Sequence, residues 1–121
     1  MESASRVETE VAPQSTPMGQ SEDQVYDDGV LRIEHENYYV ACRGASLKLP
    51  RAEFLIMSRL ARSAGRIVTA EDLWVSAWGH EKPFNPESLH VHIYRLRNRL
   101  MPYDVTIDTM VNVGYKLIAS G

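Results

Sequence analysis

Residues 85–102 constrain the fold more than any other stretch of the sequence. Asn85 is a side-chain cap, Pro86 takes the first helical position, where its missing amide hydrogen costs nothing, and Pro102 stops the run. Between them Leu89, Ile93, Leu96 and Leu100 sit at offsets 0, 4, 7 and 11, one narrow apolar stripe on a helix read over 86–101. Such a helix buries one side and leaves the rest of its surface to water or to a partner. That surface carries Ser88, Val91, His92, Tyr94, Arg95, Asn98 and Arg99, with Arg97 on the flank. Arginine suits guanine or phosphate, asparagine adenine, valine a thymine methyl and tyrosine phosphate, so this is the candidate DNA-reading face. A helix charged on one side is ordinarily just a solvated face, and its neighbours in the chain must decide.

Upstream, Phe54, Met57, Leu60, Ala61 and Ala64 form the stripe of a helix over 51–64, stopped by Gly65. A short strand fits 66–68. Thr69, with Asp72 three places on, then opens a second helix whose inner side is Leu73, Trp74, Ala77 and Trp78 and which Gly79 ends. The two tryptophans could stack on bases, but they share the stripe of Leu73 and Ala77 and read as core. Downstream, 105–109 and 114–118 are β-branched strands around a turn in which Asn112 and Gly114 accept positive φ. Ahead of everything, 30–33, 38–42 and 45–49 read as a small antiparallel meander broken at Asn37 and at Arg43-Gly44, with one of Tyr38 and Tyr39 turned inward and the other outward. Helix, connection, basic amphipathic helix and hairpin is the order of a winged helix-turn-helix, whose hairpin lies along the adjacent minor groove.

Charge agrees once it is divided by region. The net −3 splits into seven acids against one base before Gly29, a charge of −6, and twelve bases against nine acids from Gly29 on, a charge of +3. Residues 1–28, rich in Ser, Thr, Gln, Pro and Glu, read as a disordered acidic tail; residues 29–121 are long enough for one winged-helix DNA-binding domain and its single core. The tail reads as a solubilising linker, with competition against phosphate for the basic face as the alternative. The longest strongly apolar run is 54–57 and no signal-peptide core is present, so a cytoplasmic protein with no membrane partner is expected. A lone Cys42 among apolar neighbours reads as an inert buried thiol. His90 and His92, two apart on a helix, point about 200° from one another and cannot share a metal. Only a strand would bring them together. With no completing carboxylates, neither catalysis nor a metal nor a cofactor is expected.

Leu49-Pro50-Arg51-Ala52-Glu53-Phe54, Glu71-Asp72-Leu73 with Val75 and Trp78-Gly79, residues 91–97, and Thr109 with residues 113–117 stand in that order along the chain. On these motifs residues 30–119 resemble the C-terminal effector domain of OmpR/PhoB-type response regulators, bacterial two-component phosphorelay proteins that control transcription. The resemblance implies an α+β fold: a winged helix-turn-helix with an N-terminal antiparallel sheet of four strands, three helices and a C-terminal β-hairpin wing. It implies DNA contacts at Val91, His92, Tyr94, Arg95 and Arg97 in the major groove and at Thr109 and Tyr115 on the wing, 109–116, near the minor groove. The connection 79–85, from Gly79 to Asn85, touches RNA polymerase in that family, and head-to-tail homodimers sit on tandem half-sites.

Three positions depart from the pattern. Glu87 stands where relatives often grip phosphate with arginine, and its carboxylate repels the backbone. Val111-Asn112 replaces a common Arg-Gly, leaving Asn112 as the minor-groove group. Pro50 replaces a hydroxyl cap, a matter of roughly 1 kcal/mol of stability. Relatives also carry a receiver domain ahead of the effector, whereas 28 residues precede it in this sequence; a stand-alone effector and a piece of a longer regulator both fit, and Met1 favours a natural start. Glu87 and the neutral wing leave one rival: a winged helix used to dock on polymerase or a regulatory protein without specific DNA binding.

Overall fold

A computed structural model describes residues 24–119. Strands β1 (Val25–Asp27), β2 (Leu31–Glu34), β3 (Tyr39–Cys42) and β4 (Ala45–Leu47) pair antiparallel in that order. Leu31 lies opposite Cys42 and Ile33 opposite Val40, so one face of the sheet supplies a continuous buried set.

β1 corrects the expected boundary of the tail at residue 28. Tyr26 pairs with Ile33, placing 25–27 in the sheet, while residues 1–23 lie outside the described residues. The aspartates that made this stretch look like tail are turn formers. Asp28 Oδ1 accepts from the N–H groups of Val30 and Leu31 at 2.9 and 2.7 Å, and Asp27 Oδ1 accepts from Gly29 at 3.0 Å, where φ is +90°. Composition counts such carboxylates as charge, whereas the chain uses them as acceptors for otherwise unbonded amides.

Between β2 and β3 a single turn of 3-10 helix (His35–Asn37) ends on Tyr38 at φ +52°. Tyr38 therefore precedes the strand it was expected to join, and its ring stacks on Phe54 with centroids 4.8 Å apart. Arg43 and Gly44, at φ +49° and +83°, make the two-residue turn into β4, as the mirror-image hairpin turns require.

Helix α1 (Arg51–Arg62) buries Phe54, Ile56, Met57, Leu60 and Ala61, and β5 (Ile67–Thr69) leads into α2 (Ala70–Trp78). The Thr69 hydroxyl accepts from the Asp72 N–H at 3.1 Å, the cap that the sequence announces. Helix α3 (Pro86–Leu100) starts where Asn85 accepts from the Ser88 N–H at 3.0 Å. All four residues of its stripe have no solvent exposure, and burying each contributes about 1.5–3 kcal/mol.

The chain ends in β6 (Val105–Met110) and β7 (Gly114–Ala119), antiparallel, with β5 along the other side of β7. The wing is thus sewn to the start of α2, where the Ala70 N–H also bonds the Val113 carbonyl at 3.2 Å. Asn112 takes the expected left-handed conformation at φ +64°, but Gly114 is needed for a different reason. A Cβ there would lie 2.0 Å from the Val68 carbonyl oxygen, so only glycine lets β5 approach β7.

A candidate nucleic-acid interface

With its stripe locked into the core, α3 presents its other faces outward by helical geometry alone. Val91 is 44% and Tyr94 60% exposed. Arg95 and Asn98, one and two turns beyond Val91, are exposed, and among the described residues neither has an ion pair or hydrogen-bond partner. Glu87 is exposed at the first turn.

The other candidates on this helix are already engaged. Ser88 is half-buried and its N–H belongs to the Asn85 cap. His92 packs edge-on against Trp78, with centroids 4.9 Å apart, and its Nδ1 lies 2.8 Å from the Ser88 carbonyl. A carbonyl only accepts, so Nδ1 carries a proton and donates it. The Arg97 Nε donates to the Ile107 carbonyl at 2.7 Å while its terminal nitrogen donates to the Thr109 hydroxyl. Arg97 and Thr109 therefore brace α3 against β6. Arg99, expected on the outward face, has its Nε 2.8 Å from Glu53 Oε1, and Glu53 is only 2% exposed. The helix has turned this arginine back toward α1 to neutralise a buried carboxylate.

At the wing, Val111 and Val113 are exposed on either side of Asn112. Tyr115 is a correction: it was expected to touch DNA, yet it is 8% exposed and packs in the core with Val68 and Leu117. Alternation along β7 explains this, because Tyr115 and Leu117 share the inner face and Lys116 takes the outer one. Counting back by two from buried Leu117 lands on Tyr115 and leaves Lys116 on the outer face. Glu53 gave no such signal, since its partner lies 46 residues away.

The connection 79–85 is fastened to α2. Trp74 Nε1 donates to the Lys82 carbonyl at 3.0 Å, and Phe84 sets its edge on the Trp74 ring at 6.0 Å while staying 39% exposed. Trp74 is core as expected; Trp78, stacked on it at 4.2 Å and met edge-on by His92, is only half-buried. His90 and His92 lie on one helix, which removes the strand that would have joined them, and no described group of His, Cys, Asp and Glu is arranged to hold a metal. No described helix is long and apolar enough to cross a membrane.

A helix held by its apolar stripe, open on the opposite face and followed by a hairpin, is the DNA-binding domain of a winged helix-turn-helix regulator. The family described as "Transcriptional regulatory protein, C terminal" matches residues 44–117, and the chain belongs to it: it is an OmpR/PhoB-type effector domain, the class of sequence-specific DNA-binding transcription regulators. The sensory transduction protein RegX3 of Mycobacterium leprae is 33% identical over 98 residues, covering 78% of this chain and 50% of the relative. The chain thus spans about half the length of the curated relatives it matches. The response regulator DrrB of Thermotoga maritima, an OmpR/PhoB homologue, superposes with a TM-score of 0.65 at 33% identity, over 79% of this chain and 45% of that one. The DNA-binding domain of RstA from Klebsiella pneumoniae, solved in complex with the RstA box, gives 0.66 at 29% identity, over 78% and 96%.

Proposed function

We propose that the domain regulates transcription by laying α3 into the major groove of double-stranded DNA, with the wing around Asn112 beside the adjacent minor groove. The observation that carries this is the outward row Val91, Tyr94, Arg95 and Asn98 on a helix whose inner row is wholly buried. His92 Nε2 and the Ser88 hydroxyl flank that row, and Thr109 with Arg97 sets the angle between helix and wing. The RstA complex supports the mode by likeness. The domain works without catalysis or cofactor and in the cytoplasm. Two copies on tandem half-sites supply the contact area that a single domain lacks, and the fastened connection 79–85, with Phe84 exposed, is the face offered to RNA polymerase.

Arg95→Ala should weaken a specific site by about 1–3 kcal/mol in a gel shift at low salt, with no loss of stability. Unchanged affinity would remove α3 from the groove. Exposed Glu87 and the uncharged wing tip favour one second reading, a domain that docks on protein alone. In that case affinity for DNA would be negligible even at low salt.

A further inference from the structure

We propose that the outer edge of β1 is a docking site for an extended, acidic segment of a partner protein, which adds to the N-terminal sheet as a further strand. β1 ends that sheet and is paired on one side only. Bonds from the His35 N–H to the Gln24 carbonyl, 2.9 Å, and from the Asp28 N–H to the Leu31 carbonyl, 3.2 Å, bracket Tyr26 and Ile33 and make them the bonded pair between. Val25 and Asp27 therefore turn their N–H and C=O groups away from β2, and among the described residues nothing bonds these groups. Such an edge is a template for another strand. Here it opens on a groove of about 610 Å³ between β1 and the end of α1. Ala61 and Ala64, on the helix side, are small enough to leave room for a backbone, and Arg62 and Arg66 give the groove positive charge. Asp27, the one acid among the described lining residues, is held by Arg32 at 3.0 Å. Arg66 is exposed and its side chain has no partner among the described residues. An extended segment with carboxylates on its inner side meets that charge while its backbone bonds Val25 and Asp27. The chain's own N-terminal segment fits less well. Glu22 and Asp23 precede β1 too closely to turn back along it, and residues 11–21, which a turn would lay beside it, contain no acid. None of the described lining belongs to α3 or to the β6–β7 hairpin, so the edge is available whether or not α3 is on DNA.

Titrating the isotope-labelled full chain with an acetylated, amidated octapeptide that alternates threonine and glutamate, followed by nuclear magnetic resonance, tests this. The amides of Val25 and Asp27 should shift and exchange more slowly with solvent. The same peptide with lysine for glutamate should not bind. Arg66→Ala should weaken binding by about two- to fivefold, the worth of one exposed ion pair, whereas Arg95→Ala should leave it unchanged. A strand bonds its neighbour through alternate residues, so two further peptides are informative, one N-methylated at every glutamate and one at every threonine. One of them should lose at least about tenfold and the other little. Arg66 is exposed, and circular dichroism checks that the variant is folded. Unmoved Val25 and Asp27 amides, equal losses for the two methylated peptides, or an affinity that Arg66→Ala leaves intact overturns the proposal. Binding that appears only once Glu2, Glu8, Glu10, Glu22 and Asp23 are neutralised also overturns it, by giving the groove to the chain's own acids. So does a self-association that the peptide dissolves, which gives the edge to a second copy. Each of these results leaves the DNA-binding reading untouched.

Discussion

Residue by residue, the arginines show why a sequence cannot separate a DNA contact from a structural one. Arg95, Arg97 and Arg99 are alike in type and neighbourhood, yet Arg95 projects, Arg97 braces the wing and Arg99 neutralises Glu53. Arg99→Ala would leave the Glu53 carboxylate buried without its cation. Removing one partner of a buried pair costs 3–5 kcal/mol, and because the Arg99 side chain is 45% exposed the expected loss here is about 2 kcal/mol in denaturant unfolding. Adding Glu53→Gln should recover part of it, and a fully stable Arg99→Ala would mean that the pair is idle. His35 offers a second test. It is buried against Ser58, Nδ1 to Oγ 2.5 Å, and burial first, then the Arg62 charge, lowers its pKa below the usual 6.5. The unfolded chain then binds the proton more readily than the folded one, so stability is complete above about pH 6.5 and declines as pH falls from there toward the folded value. Unfolding midpoints measured between pH 7 and 5 should fall more steeply for the wild type than for His35→Gln.

Among the elements, α3 was legible almost whole, since its cap, its first-turn proline and its stripe are all local signals and the structure ends it one residue before the expected Met101. β1 was not, because a three-residue strand flanked by aspartates looks like solvated chain until β2 is there to pair with it. The wing was legible as a hairpin. The inward turn of Tyr115 follows from the strand's own alternation, which the family motif does not carry. The first turn of α3 holds the other open question of that helix, Glu87. An exposed carboxylate there faces the phosphates if α3 lies in the groove, so Glu87→Arg should tighten binding to unrelated duplexes as well as to the preferred site. It should also steepen the log affinity against log salt slope by about 0.9 for each phosphate gained. An affinity that does not change would mean that the start of α3 stands away from the backbone.

For the whole molecule, the acidic bulk charge misleads and its distribution informs. From Gly29 onward the chain carries +3, and much of that is internally committed, which leaves few cations for phosphate. On the proposed reading, recognition relies on geometry more than on charge: the buried stripe orients α3, and the bond from Arg97 to Thr109 ties the helix to the wing strand. The fold followed from periodicity and caps, whereas the division of labour among like residues depended on partners distant in sequence. The most direct test measures the affinity of the domain for its selected duplex and for a scrambled one from about 50 to 200 mM salt, with the wild type and Arg95→Ala. Expected are a log-linear fall with salt on both duplexes, tighter binding to the selected one, and a preference that Arg95→Ala largely abolishes. Equal affinity for both duplexes, or a preference that survives Arg95→Ala, would contradict the assignment of this face of α3 to DNA.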